Sequence, residues 1–252
     1  MKVFVEKDYT SLSKKGAKII EEVVRNKPDC VLGLATGSTP LGIYEELIRL
    51  HRLGGGIGLD FSKVTTFNLD EYCGLKKTDP QSYHFYMWEN FFRHVNLKPE
   101  NTFIPNANSE DASQECVRYE EAIEVRGGLD LQLLGLGRNG HIGFNEPDEH
   151  FVLDTHVVEL SADTIKANSR FFSSEAQVPR YAMTMGIGSI MGAKKILLVV
   201  SGEGKEEVVR KILQERVVTP RIPASILHLH PDVTMLLDYK IASALGGLDL
   251  CE

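Results

Sequence analysis

The sequence has few cysteines, no long apolar run and no excess of positive charge. No segment approaches the ~20 apolar residues of a membrane-spanning helix, and the apolar run in 1–6 is too short for a signal peptide. The net charge of -7 argues against nucleic acid, which needs a basic face. No CxxC pair occurs, so we expect reduced thiols and a cytoplasmic protein. The cysteines are Cys30, Cys73, Cys116 and Cys251.

Length and composition are those of an ordinary globular protein. The 252 residues allow one large domain or two small ones, and 42% of them are hydrophobic. Neither an internal repeat nor a linker is visible. We therefore expect a single domain over 1–252.

Short apolar runs alternate with helical patterns along the chain. This alternation predicts an α/β fold with an open, mostly parallel, Rossmann-like sheet and helices on both faces. The polar region 161–180 fits either a lid over a site or an ordinary surface helix and loop. The predicted strands are Val3–Val5, Val31–Ala35, Val64–Asn68, Leu129–Leu134, Val152–Leu160, Tyr181–Met185, Lys195–Val200 and Met235–Leu237. The predicted helices are Leu12–Arg25, Leu41–His51, Ser82–His94, Gln114–Val125 and Lys205–Gln214.

Four of the predicted strands end in loops with polar or charged side chains. In a parallel sheet the carboxyl ends of the strands share one edge, where open α/β sheets bind ligands. We therefore expect these loops to form one site. The loops are Thr36–Pro40, Leu69–Tyr72, Gly135–Pro147 and Ser201–Lys205.

Two of these loops have features of a phosphate-binding site. Gly37, Ser38 and Thr39 precede a helix whose first N–H groups would face an anion, although a simple helix cap explains the same residues. The last loop fails as a P-loop, because Glu206 stands where Ser or Thr is needed. Lys205 is then either a phosphate counter-charge or a solvated lysine.

The glycines of the third loop resemble a dinucleotide fingerprint. Gly135, Gly137 and Gly140 fit G-x-G-x-x-G after a strand. Gly143 and Pro147 prevent the helix that this fingerprint requires. We therefore reject a nicotinamide cofactor.

Several side chains suit proton transfer. His141 lies in a loop at a strand end, where a histidine can exchange protons near neutral pH. Asp70 and Glu71 are adjacent, so in an extended segment only one would face the site, as a base or as a turn cap. His228 and His230 alternate on a possible strand, but without partners at ligand spacing they are better interpreted as exposed or structural histidines than as metal ligands.

Four motifs together resemble the glucosamine-6-phosphate deaminase family. They keep the family's order over nearly the whole chain, which is more specific than any single match. The motifs are ATGSTP (35–40), TFNLDEY (66–72), GHIGFNEP (140–147) and ANSRFF (167–172).

The resemblance implies conversion of glucosamine 6-phosphate and water to fructose 6-phosphate and ammonium, without a metal or organic cofactor. His141 would assist opening of the sugar ring, and Glu146 would orient it, as a carboxylate does in a triad. Asp70 would move a proton from C2 to C1. Gly37, Ser38, Thr39, Arg170 and Lys205 would hold the phosphate, with the segment around Arg170 as a mobile lid.

The sequence departs from the family pattern in two places. Asn139 stands in the catalytic loop where many relatives carry Asp, so a charged relay through this position is unavailable. Regulated relatives place Ser, Arg and Lys after the Asn-Glu-Pro motif, where this chain has Glu149, His156 and Val158. We therefore expect a monomer that N-acetylglucosamine 6-phosphate does not activate.

Three other functions stay open. A 6-phosphogluconolactonase would share the fold, but the 145–147 and 70–72 segments favour the deaminase. A galactosamine-6-phosphate deaminase would differ only at the sugar C4 hydroxyl. A sugar-phosphate sensing module would not need Asp70, His141 and Glu146 together.

Overall fold

The computed structural model describes residues 1–246, which form ten strands and eight α-helices joined by loops and short 3-10 turns. The strands are β1 (Lys2–Glu6), β2 (Val31–Leu34), β3 (Thr65–Asn68), β4 (Asp70–Tyr72), β5 (Thr102–Phe103), β6 (Leu131–Gly135), β7 (His156–Glu159), β8 (Tyr181–Thr184), β9 (Ile196–Val200) and β10 (Val233–Asp238). The helices are α1 (Tyr9–Asn26), α2 (Leu41–His51), α3 (Tyr83–Asn90), α4 (Ala112–Val125), α5 (Ala162–Asn168), α6 (Ile187–Met191), α7 (Glu206–Glu215) and α8 (Tyr239–Ala244).

The main sheet is parallel, as the alternation of strands and helices predicted. Its strand order is β1-β10-β9-β6-β2-β3-β5, and each of its pairings is parallel. Every residue of β2, β9 and β10 is buried. A strand buried along its whole length has both faces covered, which explains why β2 and β9 are continuous apolar runs.

The remaining general predictions have mixed outcomes. Cys30, Cys73 and Cys116 are free thiols, and Cys251 lies outside the described residues. Within residues 1–246, no helix is both long and apolar enough to cross a bilayer. The division of the chain into a single domain stays a prediction.

A second, antiparallel sheet packs beside the first, in the order β4-β8-β7. The prediction that Asp70–Tyr72 is part of a loop was wrong, because these residues pair with 182–184 of β8. Three residues are too few to display an alternating pattern, so this strand forms because it pairs with β8 and could not be recognised from its own sequence. Predicted strands Val152–Leu160 and Tyr181–Met185 are confirmed as the shorter β7 and β8.

Two further predictions were wrong in part. The helix over Ser82–His94 ends at Asn90, because Phe91 leaves the helical conformation (φ -145°), and a 3-10 turn follows. The possible strand at His228 and His230 is absent, since Pro223 starts a 3-10 helix there. Both histidines are structural, and each ring contacts a backbone carbonyl at 2.7 Å.

The 161–180 region contains α5 and two 3-10 turns, at Ser169–Phe171 and Glu175–Gln177. Ser161 caps α5 by accepting a hydrogen bond from the N–H of Thr164. A small apolar cluster around Tyr72 and Phe144 packs against Ile165 and Phe172 of this region. The segment is therefore an ordered cover that rests on the second sheet.

Candidate active site

The four polar loops line one cavity of about 260 Å³ at the carboxyl edge of the main sheet. The strands that they follow, β9, β6, β2 and β3, are direct neighbours in the sheet. Residues of α5 and of the turn after it cover the cavity from the other side. The expectation that these loops share a site is confirmed, and the 161–180 region lies over it.

Backbone amides form one wall of the cavity. Gly37 adopts a φ of +94°, which turns the chain sharply between β2 and α2. Tyr9 donates to the carbonyls of Ser38 and Thr39 at 2.9 and 3.0 Å, and Tyr86 donates to that of Gly37 at 2.6 Å. In residues 1–246 none of the three N–H groups of 37–39 donates to another residue. These amides are free to bind an anion at the start of α2.

Three cationic side chains face the same region: Arg138, Arg170 and Lys205. None of them pairs with a carboxylate within the described part of the chain. Burial, chiefly, and the charges of Arg170 and Arg138 lower the pKa of Lys205 to about 8, against the opposite effect of Asp238. Positive side chains that lie close enough to lower one another's pKa, without a carboxylate between them, are typical of a binding site for an anion.

Asp70 enters the cavity without a hydrogen-bonding partner from the described residues. It is 6% exposed, and burial together with the nearby Glu71 raises its pKa to about 8. Glu71 points to the opposite side of β4 and accepts hydrogen bonds from the N–H groups of Tyr72, Tyr83 and His84. The prediction that only one of the two carboxylates faces the site is confirmed. A desolvated carboxyl of this kind suits a general base.

The His141 ring lies flat against Gly137. A Cβ atom at position 137 would come within 2.3 Å of the ring, so only glycine admits the histidine here. The Nδ1 atom of His141 lies 3.5 Å from Oε2 of Glu146. This is long for a hydrogen bond, and we treat the contact as electrostatic orientation of the ring. The loop glycines thus shape the position of the histidine rather than a dinucleotide site.

Glu146 is held as a carboxylate behind His141. Burial raises its pKa, but the contact with His141 and hydrogen bonds from Thr164 and Asn139 outweigh this effect and bring the pKa to about 2. Asn139 donates to Oε2 of Glu146 at 2.7 Å and accepts from the backbone N–H of His141 at 3.1 Å. Neither Asn139 nor Glu146 lines the cavity, so both can act only through His141.

The remaining predicted site residues line the cavity, namely Asp70, His141, Gly37, Ser38, Thr39, Arg170 and Lys205. Arg138 was missed, although a basic residue in the same loop as His141 is a visible signal. Thr164, Tyr83 and Asn168 also line the cavity and were missed, because their positions depend on α5 and α3 meeting the sheet. Within residues 1–246 no cluster of His, Cys, Asp or Glu side chains has metal-binding geometry.

Comparisons with known proteins identify the family of this chain. The family model for glucosamine-6-phosphate isomerases and 6-phosphogluconolactonases matches residues 6–236. A glucosamine-6-phosphate deaminase of Thermoanaerobacter pseudethanolicus is 53% identical over 252 residues, covering 100% of this chain and 98% of the relative. Glucosamine-6-phosphate deaminase 1 of Bacillus subtilis is 51% identical, with 96% and 99% covered.

Solved structures show the same relationship. A monomeric glucosamine-6-phosphate deaminase has a TM-score of 0.93 and 52% identity, covering 97% of this chain and 100% of that one. A 6-phosphogluconolactonase from Trypanosoma cruzi has a TM-score of 0.76 and 19% identity, with 97% of each chain covered. The second likeness concerns the fold alone.

Replacing Asp70 by Asn should stabilise the fold increasingly as pH rises. The pKa of Asp70 is about 8 in the folded protein, against an ordinary 3.8. The unfolded chain therefore releases this proton first, and the wild type loses stability between about pH 4 and pH 8. Asn cannot ionise, so the variant should gain on the order of a few kcal/mol by pH 8. Urea unfolding at several pH values measures this difference.

Asp29→Asn, at an exposed carboxyl, is the matched control and should show little change with pH. A constant difference between wild type and Asp70→Asn from pH 5 to pH 9 would contradict the raised pKa.

Proposed function

The chain belongs to the family of glucosamine-6-phosphate isomerases and 6-phosphogluconolactonases, and we propose that it converts glucosamine 6-phosphate and water into fructose 6-phosphate and ammonium. One observation carries the proposal. A single cavity holds a desolvated carboxyl and an oriented histidine together with three cations and a set of backbone amides that have no partner among residues 1–246. Proton transfer and phosphate binding are the two requirements of this reaction.

We assign ring opening to His141. A proton must move to the ring oxygen for the sugar to open, and His141 lines the cavity with its ring orientation fixed by Gly137. The Glu146 carboxylate stabilises the imidazolium form that arises in such a transfer. Asn139 holds Glu146 in place and cannot itself carry charge.

We assign the isomerisation to Asp70. In the open-chain sugar Asp70 takes the proton from C2, while the C1 carbonyl oxygen is protonated, giving an enolamine. Return of the proton to C1 leaves an iminium at C2. Water adds there and ammonia departs, which gives fructose 6-phosphate. The raised pKa of Asp70 makes it a stronger base than an exposed carboxylate, as removal of a carbon-bound proton requires.

The phosphate would lie at the opposite side of the cavity. The amides of 37–39 and the side chains of Arg170 and Lys205 were expected there, and Arg138 is a third cation beside them. A planar guanidinium such as that of Arg170 can bind phosphate through two parallel hydrogen bonds. Binding energy from the phosphate then positions C1 and C2 near Asp70.

The other functions have less support. Relatives that are at least 50% identical are glucosamine-6-phosphate deaminases, which are enzymes rather than sensing modules. The lactonase structures are 17–22% identical to this chain and support only the assignment of the fold. Galactosamine 6-phosphate differs at C4 alone and belongs in any test of specificity.

We further propose a cytoplasmic location. The described cysteines are free, and Cys30 is buried with its pKa raised to about 12, chiefly by burial. Such a thiol is inert, and free thiols are typical of reducing compartments.

The substrate assignment predicts release of ammonium and fructose 6-phosphate from glucosamine 6-phosphate. Turnover of galactosamine 6-phosphate and 6-phosphogluconolactone should be measured in parallel with coupled assays. The glucosamine substrate should have the highest kcat/KM, and Asp70→Asn should lower kcat by at least about 100-fold, as loss of a general base does. Absence of turnover of glucosamine 6-phosphate by the wild type would overturn the proposal.

The lowered pKa of Lys205 predicts a loss of phosphate affinity at high pH. Above about pH 8 Lys205 is mostly neutral in the free enzyme, whereas phosphate binds better to its charged form. Binding then requires uptake of a proton by Lys205, which weakens the affinity as pH rises. The Kd of glucitol 6-phosphate, which has no amine and whose phosphate is a dianion above pH 7, should rise between pH 8 and pH 9.5. Calorimetry at constant ionic strength measures this change.

Lys205→Arg should flatten the rise, because a guanidinium stays charged in this range. Lys166→Arg, on the exposed side of α5, is the matched control and should keep the wild-type pH dependence. A wild-type Kd that does not change up to pH 9.5 would count against a role for Lys205.

A monomer without an effector response is the third proposal. One structural relative is monomeric, and Glu149 pairs with Arg221 at 3.0 Å where regulated relatives carry Ser. We expect light scattering to give a monomer, and the kinetics to be hyperbolic and unchanged by N-acetylglucosamine 6-phosphate. A sigmoidal curve that this effector makes hyperbolic would show the opposite.

A further inference from the structure

Thr164 joins the covering helix directly to the carboxylate behind the catalytic histidine. Its side chain is on the first turn of α5 and is 4% exposed. Its hydroxyl donates to Oε1 of Glu146. The contact spans 18 residues of sequence and links two elements that share no backbone pairing.

The two oxygens of Glu146 have different anchors. Oε1 accepts from Thr164, and Oε2 accepts from Asn139 at 2.7 Å. Oε2 is also the atom that lies 3.5 Å from Nδ1 of His141. With one anchor at each oxygen, the plane of the carboxylate is fixed relative to the imidazole. Loss of the Oε1 anchor would leave Glu146 free to rotate about the bond to Asn139.

The same segment reaches the phosphate side of the cavity. Asn168, at the end of α5, donates to the hydroxyl of Tyr72 at 2.9 Å. Arg170 follows in the next turn and lines the cavity beside Lys205. One short segment therefore touches the proposed ring-opening pair at its start and the proposed phosphate site at its end.

We propose that Thr164 is a positioning residue, which makes the orientation of Glu146, and through it His141, depend on the placement of α5 over the cavity. The inference rests on the proposed function of the site. Thr164 holds Glu146 in the orientation needed for ring opening. Arg170 belongs to the same segment, so a phosphate bound by Arg170 would add to the contacts that hold α5 in place.

The test separates the hydroxyl of Thr164 from its shape. Thr164→Val keeps the shape and removes the hydrogen bond, whereas Thr164→Ser keeps the hydrogen bond and removes a methyl group. We expect Thr164→Val to lower kcat for glucosamine 6-phosphate by about 10- to 100-fold, the usual effect of a lost hydrogen bond to a charged group. Its KM should change less than about 3-fold, because the phosphate-binding cations are unchanged. Thr164→Ser should restore most of kcat.

Thr155 offers a matched control. It is equally buried, and its hydroxyl donates to Glu120, another carboxylate, away from the cavity. Thr155→Val should lower the unfolding midpoint and leave kcat unchanged. Binding of glucitol 6-phosphate to Thr164→Val, with wild-type affinity, would verify that α5 is still in place.

Each other outcome counts against the proposal. Equal losses in the Val and Ser variants would indicate a packing role, and a loss confined to KM would indicate a role in binding. A fully active Thr164→Val would overturn the positioning role alone. A wild type without turnover would overturn the proposed function, and this inference with it.

Discussion

Parallel pairing of β3, β2, β6 and β9 is the constraint on which the cavity depends. The four strands are neighbours and run in one direction, so their carboxyl ends open on the same edge. Each loop contributes one kind of group there: amides after β2, a carboxyl after β3, a histidine after β6 and a lysine after β9. These buried strands hold the loops at fixed spacing.

Asp70 and Lys205 both line the cavity, and among residues 1–246 neither forms an ion pair. Burial raises the pKa of Asp70 and lowers that of Lys205, so both groups are driven toward their neutral forms in the unliganded protein. An amino-sugar phosphate carries the complementary pair, a cationic amine near C2 and a phosphate dianion at C6. Binding would therefore favour the charged form of both side chains at once. The arrangement that destabilises the protein without a ligand is therefore the one that stabilises it when such a ligand binds.

Elements with a long sequence pattern were mostly predicted correctly, whereas the shortest strands were not. Long apolar runs and loops at strand ends identified the parallel sheet, the shared edge and six of the seven predicted residues that line the cavity. The seventh, Arg170, was predicted from the resemblance of the ANSRFF motif alone. The strand β4 was missed because three residues carry no periodicity, and its pairing partner lies about 110 residues away. Thr164 was missed for a related reason, since a threonine in a polar helix gives no sign of the carboxylate that it meets. Gly137 stood out in the sequence as part of a glycine pattern, but the need for glycine there became clear only from the His141 ring packed against it.

The strand β4 ties three parts of the site to one backbone register. Its consecutive side chains serve three different elements: Asp70 faces the cavity, Glu71 accepts from the first N–H groups of α3, and Tyr72 meets Asn168 of the covering segment. A one-residue insertion at Leu69 would rotate all three assignments together, turning the hydrogen-bonded glutamate into the cavity and the base away from it. The one-residue spacing between β3 and β4 therefore decides which side chain reaches the cavity.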